Sequence, residues 1–524
     1  MPERLQSELP DRDAEQISDL VAPWAERTPG HPALRDPTGQ WTYRQLADAI
    51  LEARDWLEQS DVRPGDRVMM VCENCRAFVA LLLAAGSIGA WPVPVNARLS
   101  AREVDEIREH CGARCVIYVP GASLFPARHA ERHGVTISSV GILGDVGLGL
   151  FNHEAVPEPV EQKRMERVAV VLYTSGSTGR PKGVMLTQRN LLFAASGSAK
   201  IRALSPRDRI TGILPIAHVA GLSVALLGTL ISGATLYLFE RFDPASMLRS
   251  LECDALTVLL GTPAMYSLLA EYASLKGIRS LNLPRLRVTS TAGAPLGPEV
   301  KSSAEKLFGL PLQNAYGMTE CSPNIAQTRI EAPRSDTSVG PAFPGVEIRL
   351  LGDDREPVGE GEVGELWVRG PNIMKGYYRE PEATASVLDH DGWFRTGDLA
   401  RMEDGNLFIA GRAREMIIHF GFNVYPAEVE AVLDTHPAVA RSAVIGRRSG
   451  EMHGDEEILA FVQPVSGLSP TPGELAEHAA RALTPYKRPS RILVVPALPV
   501  TANGKVAKNE LARIASRSFA ENSA

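Results

Sequence analysis

Tyr173-Thr174-Ser175-Gly176-Ser177-Thr178-Gly179-Arg180-Pro181-Lys182-Gly183-Val184 is the stretch around which the chain is organised. Val168, Val170, Val171 and Leu172 precede it, β-branched and apolar enough for a buried strand, and Val184-Met185-Leu186-Thr187 restarts an extended segment after it. Between these runs lie hydroxyls, glycines and a lysine. Glycines admit positive φ and bring backbone N–H groups close to a polyanion. Thr174, Ser175, Ser177 and Thr178 add hydroxyl donors, and Lys182 adds a point charge. Such a composition suits a phosphate cradle, although a hydroxyl-rich surface turn has a similar one. A P-loop of the nucleoside-triphosphatase kind does not fit. Its Gly-Lys-Ser/Thr opens a helix, whereas Pro181 precedes Lys182 here and an extended run follows.

The 524 residues leave room for about three domain-sized units. A net charge of −7 gives no reason to expect nucleic acid or an anionic membrane surface as a partner. Met1-Pro2-Glu3-Arg4-Leu5 opens the chain without an apolar secretory core, so a cytoplasmic location is expected. The apolar stretches Ala77–Val95 and Val219–Phe239 approach spanning length, but glycines and prolines interrupt both. Each reads as a buried helix followed by a buried strand, and no membrane span is expected. Cys72-x-x-Cys75 and Cys111-x3-Cys115 have spacings that a zinc site could use. Cys72 ends an apolar strand run and no glycine knuckle follows, which favours structural thiols.

Thr42-Tyr43-Arg44-Gln45 fits a capping box, with Leu46, Ala49, Ile50, Ala53 and Leu57 behind it at helical spacing. A strand over Arg67–Val71 is followed by a helix that Asn74 can cap, and a helix over Ala101–His110 by a strand over Cys115–Val119. This alternation builds a layered α/β domain with a mostly parallel sheet. Residues 120–165 carry no motif and read as loops and a sheet edge. Val346–Leu351 and Glu365–Arg369, separated by a Gly/Glu-rich turn, suggest a small β subdomain.

Further strings carry polar chemistry. In Asn314-Ala315-Tyr316-Gly317-Met318-Thr319-Glu320, Tyr316 offers a flat face for adenine, Thr319 a hydroxyl for phosphate and Glu320 a hard oxygen for Mg²⁺. His218 lies in the apolar Leu214–Leu222, where a histidine is ordinarily a satisfied core residue. No acidic residue falls between Thr211 and Phe239, which disfavours a substrate ammonium there. Trp393-Phe394-Arg395-Thr396-Gly397-Asp398, Asn372–Tyr378, Phe420-Gly421-Phe422-Asn423, Tyr486-Lys487-Arg488-Pro489 and Asn503-Gly504-Lys505 complete the set.

In this order, these motifs resemble the adenylate-forming superfamily in its acyl-CoA synthetase branch, over about Val21 to Leu511. The resemblance implies an α/β fold: a large N-terminal domain of layered α/β subdomains plus a β subdomain (residues 1–412), and a small mobile α+β C-terminal lid (413–524). It places ATP on Thr174, Ser175, Gly176, Ser177, Thr178, Gly179 and Lys182, on Gly293-Ala294-Pro295, and on Asn314 through Thr319. It gives Asp398 the ribose hydroxyls, Arg412 a second ribose or phosphate contact, and Glu320 with Thr174 the Mg²⁺. His218 matches a residue that gates the carboxylate, and Lys505 the lysine that reaches carboxylate and α-phosphate during adenylation. Gly421, Phe422, Tyr486 and Arg488 match the coenzyme A side, although lysines and arginines in such turns are often solvated surface charges. Arg414 stands at the hinge, where relatives most often carry Asp or Lys.

The implied activity is ATP-dependent acid–CoA ligation through an acyl-AMP, with a fatty, alicyclic or aryl carboxylate as substrate. Alternatives are an acyl-AMP ligase loading a separate carrier protein, since no carrier segment follows Lys505, and a non-catalytic nucleotide-binding regulator. A homodimer is the common assembly for such a chain.

Overall fold

The capping box at Thr42 forms as its spacing requires. Thr42 accepts from the Gln45 N–H, the Gln45 side chain answers at the Thr42 N–H, and the helix runs Tyr43–Gln59 with Leu46, Ala49, Ile50, Ala53 and Leu57 buried. The same device starts the helices Ala101–Cys111, Gln188–Ile201 and Pro472–Ala482. These elements belong to a computed structural model that describes residues 14–121, 123–175, 181–419, 422–448, 456–501 and 506–521.

Two sheets form the bulk of the N-terminal part. An eight-stranded sheet runs in the order Asn324–Gln327, Leu312–Gly317, Val288–Ala292, Val258–Gly261, Arg209–Gly212, Thr235–Leu238, Pro32–Asp36 and Gly39–Thr42. Its six inner strands are mutually parallel and its two outer strands antiparallel. A five-stranded sheet runs Trp91–Asn96, Arg67–Cys72, Cys115–Val119, Gly144–Gly149 and Ile137–Val140. Parallel strands with both faces covered are near-continuous apolar runs, and Arg67–Cys72 and Cys115–Val119 are buried at every position. The helix Arg76–Ile88 is buried from Ala77 through Gly86, as an all-round apolar helix must be. Burial pushes the thiols of Cys75, Cys111 and Cys115 up to about 12, which suits inert packing groups. Among the described residues no helix is long and apolar enough to cross a membrane.

Two sequence expectations change. Asn74 does not cap the helix after it. The Asp36 carboxylate accepts from the Arg76 N–H instead, and Asn74 is turned inward to a task described below. Residues 120–165 hold more regular structure than expected: a helix Leu124–Arg132, capped by Ser123, and the strands Ile137–Val140 and Gly144–Gly149, which close the sheet edge antiparallel.

Val346–Leu351 and Glu365–Arg369 become Glu347–Leu351 and Gly364–Arg369, the first two strands of a four-stranded antiparallel sheet completed by Phe394–Glu403 and Asn406–Arg412. The C-terminal part is smaller. It holds a hairpin of Ile417–His419 with Phe422–Val424, a three-stranded sheet of Val439–Arg448, Glu456–Pro464 and Arg491–Val494, and the helices Pro426–Asp434, Pro472–Ala482 and Lys508–Glu521. Among the described residues, the apolar clusters that end at Ile409 and those that begin at Ile417 share no member.

Asp434, at the end of the Pro426–Asp434 helix, has a buried carboxyl whose Oδ1 has no hydrogen-bond partner. Burial is the main force raising its pKa from the ordinary 3.8 to about 6, Glu430 and Glu299 add to it, and Ser442 only partly offsets them. A folded-state value above the unfolded one favours folding with the proton on, so this contribution is complete below the unfolded value and is lost as pH rises through the folded one. Asp434→Asn should therefore stabilise the protein at neutral pH by about 2 kcal/mol and flatten the urea-unfolding midpoint between about pH 4 and 7. An Asn variant with unaltered pH dependence would contradict the burial argument.

Candidate functional site

The opening motif is an antiparallel hairpin. Val168–Ser175 pairs with Pro181–Thr187, Thr174 standing opposite Lys182 and Ser175 opposite Pro181. Gly176, Ser177, Thr178 and Gly179, at its tip, lie outside the described residues, and Ser175 is described by its backbone alone. A two-residue strand, Gly376–Tyr377, adds to the other edge of Pro181–Thr187. Extended structure after the lysine, where a P-loop would turn helical, agrees with the sequence reading.

The parallel strands Val258–Gly261, Val288–Ala292 and Leu312–Gly317 stand side by side and end at the same edge. Crevices outside the carboxyl ends of such strands are where open α/β sheets bind ligands. Gly293-Ala294-Pro295 follows the second of them, and Ala315 pairs with Ala292, so both strings read as nucleotide contacts share this edge. Gly317 sits where a Cβ would lie 1.8 Å from the Pro323 carbonyl oxygen, so only glycine permits the turn that carries Met318, Thr319 and Glu320. The Asn314 Nδ2 donates to the Thr337 and Ser338 carbonyls, which braces that loop against the strand end.

A hydroxyl and a guanidinium meet at Asp398, which is only 3% exposed. Tyr316 donates its hydroxyl to Oδ2, and Arg412, paired with Asp398 across adjacent strands, places Nε 2.7 Å from Oδ1. Burial, and next the Asp398 charge, hold the Tyr316 hydroxyl well above the usual phenol range, so it remains a donor. Cys321, likewise pushed up by burial, feels both Glu320 and Asp398, so the two carboxylates lie within electrostatic reach of one residue.

Glu320 is 8% exposed and accepts a 2.9 Å hydrogen bond from the Tyr377 hydroxyl at Oε1. The Lys182 ammonium lies 4.7 Å from the centre of the same tyrosine ring. Lys182 and Glu320 are thus brought together as the sequence reading requires, through a residue to which it assigned no role. The Tyr-Tyr pair after Gly376 was the available signal.

His218 is half-buried at the entrance to a wide π-helical stretch, Ala220–Leu227. The Asn74 Nδ2 donates to the carbonyls of Gly212, Leu214 and Phe239, and its Oδ1 accepts from the Ile216 N–H. That buried amide fixes the segment that delivers His218. A Cβ on Gly221 would fall 2.1 Å from the Pro215 carbonyl oxygen, so glycine lets the π-helix fold back onto the same segment. A polar side chain between two buried cysteines was the sequence signal for Asn74.

In the C-terminal part, Phe422 pairs with His419, and Gly421, with Phe420, lies outside the described residues. Arg414 belongs to the short turn Ala413–Glu415. Arg488 Nε and Nη2 donate to the Leu483 and Ala480 carbonyls, which closes the C-terminus of the Pro472–Ala482 helix. Lys487 pairs with Glu428 at 2.6 Å, and Tyr486 packs against the local apolar core. Lys505 lies outside the described residues, between Val500 and Val506, which form an antiparallel bridge.

Comparison with known proteins agrees along the chain. Residues 21–378 match the model of the AMP-binding enzyme family, and residues 428–505 that of the AMP-binding enzyme C-terminal domain. A feruloyl-CoA synthase from an Amycolatopsis species is 36% identical over 495 residues, covering 93% of this chain and 97% of that protein. An indoleacetate–CoA ligase from Aromatoleum aromaticum is 32% identical, covering 96% of this chain and 98% of its own. Two solved structures of o-succinylbenzoate CoA synthetase from Bacillus subtilis, one with an acyl-adenylate intermediate and one with ATP and a magnesium ion, superpose with TM-scores of 0.80 at 29% identity. They cover 94% of this chain and 97% and 98% of their own.

The Asp398 cluster has a stability signature. Asp398→Ala leaves a buried hydroxyl and a guanidinium without their acceptor and should cost about 2–3 kcal/mol in urea unfolding. Arg412→Ala removes a partner whose side chain is 38% exposed, and should cost under about 1 kcal/mol. Equal losses would mean that Arg412, and not the buried hydroxyl, dominates the cluster.

Proposed function

The chain belongs to the AMP-binding enzyme family, in its acyl-CoA synthetase branch, and on that premise we propose an ATP-dependent acid–CoA ligase with the roles below. The convergence of Lys182 and Glu320 beside the Asp398 cluster carries this reading. One site presents a cation, a hard-oxygen ligand and a buried carboxylate, matched in turn to phosphate, metal and ribose. A ligase for aryl-substituted carboxylic acids is the preferred form. Relatives named for feruloyl, indoleacetate and o-succinylbenzoate substrates support it, as does the lack of an acidic residue between Thr211 and Phe239.

In the first step a carboxylate oxygen bonds to the α-phosphorus of ATP, the bridge to the β-phosphate breaks, and pyrophosphate leaves. Both reactants are anions, so charge neutralisation dominates the barrier. Lys182 and the hydroxyls of Thr174, Ser175, Ser177 and Thr178 take phosphate oxygens, and Lys505 spans carboxylate and α-phosphate. Glu320 fits Mg²⁺ because it keeps one carboxylate oxygen without a hydrogen bond among the described residues, and the bound ion would supply charge neutralisation at the phosphates. Tyr316 lies against adenine, while Asp398 and Arg412 hold the ribose edge. His218, fixed by Asn74, faces the incoming acid.

In the second step the thiol of coenzyme A gives up its proton, its sulfur bonds to the acyl carbon, and AMP leaves. AMP departs readily, so no side-chain nucleophile is needed. The domain boundary is assigned just after Arg412, supported by the separate apolar clusters on either side of the Ala413–Glu415 turn. Rotation there exchanges the Lys505 face for the Gly421 face, so one site serves both steps. The cytoplasm is the matching location.

The deciding experiment follows AMP and pyrophosphate release with Mg-ATP over aryl, alicyclic and fatty acids, with and without CoA. Turnover should require an aryl acid and CoA together, whereas pyrophosphate exchange indifferent to CoA would point to a carrier-protein acceptor. Lys505→Ala should slow adenylation at least about a hundredfold while thioester formation from supplied acyl-AMP is largely kept. Gly421→Leu should do the reverse, and equal losses in both half-reactions would remove the two-face model.

A further inference from the structure

Tyr377 lies between the two charged groups that the ligase reading assigns to phosphate and metal. We infer that it is a positioning residue, holding Lys182 and Glu320 side by side while preventing them from neutralising each other. This inference rests on the ATP-binding reading above.

The backbone prepares this placement. Tyr377 stands opposite Val184 in the short edge strand, so Lys182, two residues before Val184, is its diagonal neighbour on the same face. Backbone N–H groups of Lys375 and Tyr378 donate to the carbonyls of Met185 and Gly183, at 2.9 and 2.7 Å, lashing the segment to the lysine strand. Its other end is lashed to the glutamate: the Met374 N–H donates to the Glu320 carbonyl at 2.9 Å, and the Asn372 Nδ2 donates to the carbonyls of Cys321 and Asn324. Asn190, which completes the capping box of the helix after the hairpin, donates to the Pro371 and Ile373 carbonyls as well. The segment is a strut between the two motifs.

The side chain then meets opposite charges with opposite parts. The negative face of the ring receives the Lys182 ammonium, within cation–π range. The hydroxyl hydrogen, at the ring's positive edge, goes to Glu320 Oε1. An ammonium and a buried carboxylate held by the same ring attract each other. Even so, neither Lys182 nor Glu320 makes an ion pair among the described residues. One neutral side chain satisfies each charge weakly and leaves both available to an incoming polyanion and its cation. A direct Lys182–Glu320 pair would have to be broken by every ATP that binds.

The test uses the full chain without any acid substrate, so that no turnover occurs. ATP binding is measured by calorimetry, first in EDTA and then over a Mg²⁺ titration, with the thermal midpoint of each variant recorded. Tyr377→Phe keeps the ring and loses the hydroxyl. Metal-free ATP affinity should stay within about twofold of wild type, while half-saturation by Mg²⁺ should rise about tenfold, the effect of one lost hydrogen bond to a charged group. Tyr377→Leu lets Lys182 and Glu320 pair, so ATP affinity in EDTA should fall as well. Adding Lys182→Met to that variant should return Mg²⁺ half-saturation to the Phe level. A Phe variant with wild-type Mg²⁺ dependence, or no recovery on removing Lys182, overturns the inference. Wild-type protein that binds no ATP overturns the ligase reading itself.

Discussion

A buried carboxylate must find donors, and Asp398 finds them on two different sheets. Tyr316 reaches it from the end of a parallel strand of the eight-stranded sheet, and Arg412 from the neighbouring strand of the four-stranded one. The bond to Tyr316 ties these layers together beside the backbone bonds that join Val339 and Gly340 to Leu407. It sets the edge of the parallel sheet, with Gly293–Pro295 and the Gly317 turn, against the strand that leads into the C-terminal part. In a medium of low polarity, a misaligned partner leaves an unpaired charge, which costs more than the pair contributes. The register between the sheets is therefore tightly specified.

The same accounting of donors separates structural cations from functional ones. In the C-terminal part, Arg488 is occupied with helix carbonyls and Lys487 with Glu428. Lys508 is shared between Glu415, in the turn after Arg412, and Glu430, at 3.1 and 2.9 Å. These contacts hold the start of the last helix, three residues beyond Lys505, against the turn that follows Arg412. Lys182 is different, because the structure gives it an aromatic face in place of a carboxylate.

Much of this was legible along the chain. The hairpin, the capped helices, the apolar helix–strand pairs and the small β sheet follow from local spacing and periodicity, since they depend on neighbours within a few residues. The motif order led to the family because a polyanion imposes the same residue types wherever it is bound. Asn74 was misread for the opposite reason. An asparagine before a helix is a good cap when considered locally, but its partners lie 138 to 165 residues away, on the 212–216 segment and at Phe239. The carbonyls that Arg488 meets were equally out of view, because they are left free only where a helix has ended.

The sequence by itself determined the family, the type of chemistry and the identity of most charged groups, because those depend on which residues occur and in what order. Only the tertiary structure decided how the charges are kept from cancelling. Tyr377 meets Glu320 across 57 residues of chain and Lys182 across a strand pair formed by a two-residue edge. Nothing in local spacing encodes that meeting. It arises when sheet pairing and a low-polarity cleft bring a cation, an anion and one aromatic ring to the same point.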